Sequence, residues 1–123
     1  MTKAYISGPI SGVANATVIF YEAEEALLKE GYEIFNPMSI VSPWEDDMLD
    51  EGASESGSLV PAVWVYFMKK GLKMLLECDC LVLLPGYEDS KGSMIEKKLA
   101  EDLYLPVYRL REIVGEAEFV RKS

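Results

Sequence analysis

The feature that most limits how this chain can fold is an unbroken apolar run at residues 80–84, which reads Cys-Leu-Val-Leu-Leu. A strand with one solvated face alternates apolar and polar residues, whereas a parallel strand at the centre of a sheet is covered on both faces and is apolar throughout. The run therefore predicts a central parallel strand with helices packed on both sides of it.

Segments with strand and helix patterns alternate along the rest of the chain. We predict strands at residues 3–7, 32–35 and 106–110 and helices at residues 15–30, 62–77, 93–103 and 112–122. Such alternation is typical of parallel strands joined by right-handed crossover helices. We expect a three-layer, doubly wound α/β fold of the Rossmann or flavodoxin-like kind, with four to five parallel strands.

Length and charge limit the number of domains and the kinds of partner. With 123 residues the chain has room for one core, so we expect a single domain over residues 1–123 with a lid-like loop at about 39–58. A net charge of -9 opposes binding to nucleic-acid polymers and anionic membranes. No stretch approaches the about 20 apolar residues of a membrane span, and the first residues lack a signal-peptide pattern. The sequence therefore predicts a cytoplasmic protein.

The absence of histidine removes several kinds of chemistry. Ser-His-Asp and Cys-His catalysis are excluded, so acid and base roles fall to carboxylates, Tyr, Lys or Cys. Cys78 and Cys80 are too few for a zinc site and are predicted to be buried free thiols. The acidic run at residues 45–47 reads as a solvated face. We expect no metal and no cofactor.

Two loops carry the candidate site, because ligands of doubly wound folds bind outside the carboxyl ends of the strands. Residues 5–12 read Tyr-Ile-Ser-Gly-Pro-Ile-Ser-Gly and place small residues where a backbone can approach a ligand, although a simple tight turn has the same composition. Residues 89–93 bring hydroxyl and N–H groups to a helix start, an arrangement that suits a phosphate or a sugar hydroxyl. The second loop is thus the stronger signal, whereas the first loop alone leaves a tight turn and a ligand site equally open.

Glu96 permits two interpretations. Ser93 lies three residues earlier, so the pair could form a capping box at the start of the predicted helix. A carboxylate directed into the crevice could instead attack the anomeric carbon of a sugar, as carboxylates do in covalent glycosyl transfer. The spacing alone does not choose between a cap and a nucleophile.

The two tryptophans offer aromatic faces on which a nucleobase could stack. Trp44 lies among polar residues of the lid-like loop and is the stacking candidate, with an ordinary surface position as the alternative. Trp64 lies beside Val63 and Phe67 on the helix at residues 62–77 and is assigned to the core or to a dimer interface. That helix carries more apolar surface than one face of a sheet needs, which predicts a homodimer or higher homo-oligomer.

Four segments together resemble the nucleoside 2-deoxyribosyltransferase superfamily. They are Tyr-Ile-Ser-Gly-Pro-Ile near the start, an Asn-Pro after the second strand, Cys-Asp-Cys-Leu-Val-Leu-Leu-Pro-Gly, and Ser-Lys-Gly-Ser-x-x-Glu-x-x-x-Ala. The similarity covers residues 3–110 apart from 39–58, and it is closest to a small phage and bacterial branch. The resemblance implies that Glu96 is the nucleophile. The candidate substrate-binding residues are Tyr5, Ser7, Gly8, Pro9, Ile10, Gly12, Trp44, Asp89, Ser90, Gly92 and Ser93.

The resemblance also bears on the substrate. Members that act on free nucleosides carry Asp six residues before the nucleophile, whereas the deoxynucleoside 5′-monophosphate N-hydrolases carry a Ser that binds the phosphate. Ser90 occupies that position here, and a hydroxyl can donate to a phosphate that a carboxylate would repel. Asp89 is adjacent, so a shift of the loop by one residue would restore the acidic pattern.

One departure from the family pattern concerns the leaving group. Family enzymes carry an Asp some two dozen residues before the nucleophile, but residues 69–73 read Lys-Lys-Gly-Leu-Lys. Either Glu45, Asp46, Asp47 or Asp50 substitutes, or the protein binds nucleotides without turnover. The prediction is an N-glycosidase or deoxyribosyltransferase that cleaves a small 2′-deoxynucleoside 5′-monophosphate, or nucleoside, through a glycosyl-Glu96 intermediate. The alternative is a non-catalytic nucleotide-binding or sequestering protein.

Overall fold

A four-stranded sheet forms the centre of the protein in a computed structural model, which describes residues 2–10, 13–40 and 61–115. All neighbouring strands are parallel and their order is β2-β1-β3-β4. The strands are β1 (Lys3–Ser7), β2 (Glu33–Phe35), β3 (Cys80–Leu83) and β4 (Val107–Arg109). The helices are α1 (Ala16–Lys29), α2 (Pro61–Leu76), α3 (Lys91–Asp102) and α4 (Leu110–Val114), with 3-10 turns at Pro37–Ser39 and Tyr87–Asp89.

Two hydrophobic clusters cover the two faces of this sheet. Cys80 and Val82 of β3 pack on one face with side chains of α1 and α4, such as Phe20. Leu81 and Leu83 pack on the other face with side chains of α2 and α3. Every residue of β3 is buried, as the unbroken apolar run requires. The expected three-layer, doubly wound α/β fold is therefore confirmed.

The strand order places a topological switch point between β1 and β3. The connection from β1 to β2 runs through α1 on one face, and the connection from β2 to β3 runs through α2 on the opposite face. The loops that leave β1 and β3 consequently diverge and open a crevice at the carboxyl ends of these strands. The fold alone thus brings the two candidate loops together.

The opposite ends of β1 and β3 carry structural contacts. The backbone N–H of Lys3 donates to the Asp79 carboxylate at 2.8 Å, which ties the start of β1 to the start of β3. Cys78 and Cys80 are free and buried, as predicted. Burial raises the pKa of the Cys78 thiol to about 12 and that of Cys80 to about 11.

Some predicted features fall at or beyond the limits of the described residues. Most of the lid-like loop, including Trp44, lies outside them, as do Gly12 and residues 116–122 of the predicted last helix. Residues 39–40 belong to the turn that follows β2. Within the described ranges, no helix has the length and apolar character needed to cross a membrane.

Candidate active site

A cavity of about 650 Å³ opens at the carboxyl ends of β1 and β3, and its size is ordinary for a small-molecule site. Four of its lining residues are buried, and we call them the floor of the cavity: Tyr5, Ser7, Ser93 and Glu96. All the predicted site residues that lie in the described ranges line it. The rule that ligands bind at the switch point of a doubly wound sheet therefore selected residues that share one cavity.

Glu96 lies in the middle of α3 and is 6% exposed. The Tyr5 hydroxyl donates to Glu96 Oε2 at 2.7 Å, and the Ser7 hydroxyl donates to Glu96 Oε1 at 2.5 Å. Each carboxylate oxygen therefore has its own donor from β1. These bonds hold the carboxylate in one orientation at the floor of the cavity.

The buried environment shifts the pKa of both Glu96 and Tyr5. Burial raises the pKa of Glu96, and the hydrogen bonds from Ser7 and Tyr5 oppose that rise because they stabilise the charged form. Burial, followed by the adjacent Glu96 charge, raises the pKa of Tyr5 well above its usual range. Tyr5 thus keeps its proton and remains a donor to the carboxylate.

Ser93 supports this arrangement through its contact with Ser7. Its Oγ lies 2.8 Å from the Ser7 Oγ, and the Ser93 side chain is 2% exposed. A hydroxyl has a single proton to donate. When the Ser7 hydroxyl donates to Glu96, the hydrogen bond between Ser7 and Ser93 must therefore be donated by Ser93. Ser93 was predicted to bind substrate. It does line the cavity, but its hydroxyl contacts Ser7.

Gly71 lets helix α2 pass directly over the carboxylate. A Cβ built at this position would lie 2.6 Å from the Tyr5 hydroxyl oxygen and 3.1 Å from Glu96 Oε2. The sequence showed that residues 69–73 contain no acid, but it did not show that Gly71 faces Glu96. The available signal was a glycine inside a helical pattern, which costs about 1 kcal/mol relative to alanine and usually has a packing reason.

The start of α3 corrects one interpretation of Glu96. Ser90 is the N-cap, and its Oγ accepts a hydrogen bond from the Ser93 N–H at 3.2 Å. The helix begins at Lys91, two residues earlier than predicted, so the third helical position belongs to Ser93. Glu96 is too far along the helix to close a capping box with Ser93. That interpretation is wrong.

The helix start also presents groups that can donate to an anion. The N–H groups of Lys91 and Gly92 are the first of α3 and have no acceptor within the helix. The Ser90 hydroxyl accepts from Ser93 and keeps its own proton for another partner. Lys91 Nζ lies 4.8 Å from the centroid of the Trp64 ring. Asp89, which is exposed, lines the same side of the cavity.

Two apolar walls also line the cavity among the residues that the structure describes. Trp64, Phe67 and Met68 of α2 form one of them. Trp64 was assigned to the core or a dimer interface, but it is half-buried and lines the cavity. The second wall follows β1 and β2, and we call it the β1–β2 wall; its members are Pro9, Ile10, Pro37, Met38 and Ile40. Sequence reasoning missed its β2 side, although Asn36-Pro37 marked the end of a strand.

Comparison with known proteins agrees with this architecture. The solved structure of a 2-deoxyribosyltransferase from the psychrotolerant bacterium Bacillus psychrosaccharolyticus superposes with a TM-score of 0.59 and 21% identity, covering 87% of this chain and 70% of that chain. At that identity the likeness shows a shared fold. Residues 2–109 match the model of the family described as "Domain of unknown function (DUF4406)", and the chain belongs to that family. No curated protein matches the sequence.

Proposed function

We propose that the protein cleaves the N-glycosidic bond of a small 2′-deoxynucleoside 5′-monophosphate, or nucleoside, as an N-glycosidase or deoxyribosyltransferase that uses Glu96. The observation that carries this proposal is the Glu96 carboxylate, buried at the floor of a cavity with a donor on each oxygen. Its partners among the described residues are neutral hydroxyls. Burying a carboxylate without a cation costs stability, and such groups occur preferentially at functional sites.

The proposed chemistry follows from this geometry. A Glu96 oxygen attacks C1′ of the sugar, the C1′–N bond breaks, and the bonding electrons leave with the base, which takes up a proton from solvent water. Water then opens the resulting glycosyl ester, or a second base does so and completes a transfer. Tyr5 and Ser7 hold the carboxylate for attack and stabilise its charge when it leaves in the second step.

A 5′-monophosphate is supported by the start of α3. Three consecutive lining residues at this helix start carry donors: the Ser90 hydroxyl, the N–H groups of Lys91 and Gly92, and the Lys91 ammonium. Donors at a helix start favour an anion even in a chain whose net charge is negative. The likeness of Ser90 to the serine of the 5′-monophosphate N-hydrolases agrees with this proposal.

Glu96→Gln tests the proposal. A panel of 2′-deoxynucleotides and nucleosides is incubated with the protein, and released base is measured. We expect base release to fall by orders of magnitude in Glu96→Gln, because the amide cannot attack C1′. Glu101→Gln is the matched control, since it makes the same change on the exposed side of α3, where Glu101 pairs with Lys97. Unchanged base release in Glu96→Gln contradicts the mechanism.

A non-catalytic nucleotide-binding protein is the second candidate. The observation that favours it is Gly71, because the part of α2 that faces Glu96 has neither an acid nor space for one. A base that leaves without a proton donor leaves slowly. Calorimetric binding of deoxynucleotides combined with no base release from any of them would support this candidate over the enzyme.

We further propose one cytoplasmic domain over residues 1–123 that binds a small molecule, without a nucleic-acid polymer or membrane partner, and that assembles as a homodimer or higher homo-oligomer. The apolar content of α2 supports the assembly. Trp64, Phe67 and Met68 nevertheless line the cavity, so only part of that apolar surface is left for a partner subunit.

A further inference from the structure

The β1–β2 wall has an unusual hydrogen-bonding character. Its five side chains are all apolar. Pro9 and Pro37 have no backbone N–H. The Met38 N–H donates to Asn36 Oδ1 at 2.9 Å, and the Ile40 N–H donates to the Pro37 carbonyl at 3.1 Å. Four of the five backbone nitrogens in this described wall therefore cannot donate to a ligand.

Asn36 occupies the Met38 N–H and fixes the turn that carries this wall. It is 3% exposed, and its amide nitrogen donates to Glu24 on α1 at 3.2 Å. Its carbonyl accepts from both the N–H and the hydroxyl of Ser39, at 2.9 and 2.7 Å. The turn after β2 is thus closed by its own hydrogen bonds, and the residues with which it lines the cavity, Pro37, Met38 and Ile40, have apolar side chains.

The position of this wall relative to Glu96 decides which part of a substrate it would contact. This step rests on the proposed function, which puts the phosphate at the start of α3 and C1′ at Glu96. The Glu96 carboxylate accepts hydrogen bonds from side chains of β1, the strand that leads into Pro9 and Ile10. A base attached at C1′ and directed away from the phosphate therefore contacts the β1–β2 wall.

We propose that the β1–β2 wall selects the base by apolar contact and shape, so that the substrate is a deoxynucleotide whose base presents an apolar edge, such as a 5-alkylpyrimidine. A wall with so few free donors cannot recognise the carbonyl oxygens of a base by hydrogen bonding. Each added methyl group that the wall covers strengthens binding about 4-fold.

Hydrogen-bonding sites and apolar sites discriminate between ligands to very different degrees, and this difference makes the proposal testable. A site that hydrogen-bonds a ligand rejects an analogue lacking those groups by about 10⁴-fold or more, whereas an apolar site distinguishes one methyl group by about 10- to 200-fold at most. A nucleotide whose base keeps the shape of thymine but lacks its hydrogen-bonding groups separates the two cases. The 5′-monophosphate of the 2,4-difluorotoluene deoxyriboside is such a probe, and its C–C glycosidic bond cannot be cleaved.

The experiment measures dissociation constants by calorimetry for dUMP, dTMP and the difluorotoluene nucleotide, using full-length Glu96→Gln so that turnover does not interfere. We expect dTMP to bind about 4-fold more tightly than dUMP. The difluorotoluene nucleotide should bind within about tenfold of dTMP. A loss of more than about 100-fold for the difluorotoluene nucleotide, or equal affinity for dUMP and dTMP, overturns the inference while leaving the proposed function intact. Failure of all three to bind overturns both.

A variant of the wall gives an independent result. Met38→Gln in the same background adds an amide donor to the β1–β2 wall, so it should shift the affinity ratio of dTMP to the difluorotoluene nucleotide by about tenfold in favour of dTMP. Val18→Gln is the matched control, because Val18 is exposed on α1 outside the cavity and the ratio should not change. An unchanged ratio in folded Met38→Gln contradicts the proposed contact. If that variant does not fold, the comparison of the three nucleotides still decides.

Discussion

Replacing Gly71 with alanine tests whether the position of the Glu96 carboxylate, as well as its charge, sets the rate of the proposed reaction. The new Cβ would lie 2.6 Å from the Tyr5 hydroxyl oxygen, whereas ordinary contacts begin at 3.4 Å, so the two atoms must separate by about 0.8 Å. Tyr5 is buried on a central strand and its hydroxyl cannot simply rotate away from the helix. The displacement therefore breaks or stretches the 2.7 Å bond to Glu96.

The expected magnitudes follow from this clash. Loss of a buried hydrogen bond to a charged group costs about 1.5–3 kcal/mol. Alanine is favoured over glycine inside a helix by about 1 kcal/mol, which offsets part of that cost. We expect a net loss of about 0.5–2 kcal/mol in the free energy of unfolding. Catalysis should suffer more, because a misplacement of about 1 Å in a catalytic group costs about 100-fold in rate.

The assay combines urea unfolding with base release from the preferred deoxynucleotide. Gly92→Ala is the matched control for stability, since among the described residues its Cβ would meet just the flexible end of Met68, at 3.0 Å to the sulfur. That variant should be as stable as the wild type or slightly more stable. If Gly71→Ala keeps wild-type base release together with wild-type or greater stability, the close packing of α2 on Tyr5 and Glu96 has no functional role and the reasoning fails.

Five other features can be tested as well. Ser90→Ala should weaken binding of 5′-monophosphates relative to nucleosides by about 1–3 kcal/mol, measured by calorimetry; an equal loss for both ligand classes would assign Ser90 to the helix cap alone. Tyr104 follows α3 with a φ of 60° and is 94% exposed, so Tyr104→Gly should raise the free energy of unfolding by about 1 kcal/mol in thermal melts. Because burial raises the pKa of Glu96, base release should increase with pH through a range above the usual carboxyl pKa. Neutral Glu96 contributes stability below the usual carboxyl pKa, and this contribution is lost as pH rises through the raised pKa of Glu96. At neutral pH Glu96→Gln should therefore melt no lower than the wild type. Light scattering should give a mass above the 13.8 kDa of one chain, and a monomer mass at micromolar concentration would end the oligomer proposal.

Sequence reasoning succeeded where short-range patterns decide the structure. The apolar run at residues 80–84 predicted a doubly covered central strand, and β3 is buried throughout. It was less accurate at the start of α3, because Ser90 and Ser93 are both acceptable N-cap residues. The turn at Tyr87–Asp89 fixes the choice, since it delivers Ser90 in an extended conformation with its hydroxyl directed at the Ser93 N–H.

The assignment of Trp64 to the core was wrong for a different reason, and its place at a dimer interface stays a prediction. Helical spacing shows that residues share a face, but it does not show what that face meets. Val63 is buried, whereas its neighbour Trp64 lines the cavity beside Lys91. Which part of α2 covers the sheet and which part borders a cavity depends on where the helix crosses the strands.

The sequence by itself determined the layers of the fold and the two loops that meet at the switch point, because periodicity, glycines and prolines act over a few residues and impose the same local structure in many folds. Only the tertiary structure decided how Glu96 is held. Its donors, Tyr5 and Ser7, are 91 and 89 positions away in the chain, and Gly71 reaches the same carboxylate from a third element. Contacts across such separations depend on the parallel pairing of β1 with β3 and on the packing of α2 and α3 over one face. These arrangements exist only after the chain has folded, so no local pattern encodes the distances that give Glu96 its orientation and its raised pKa.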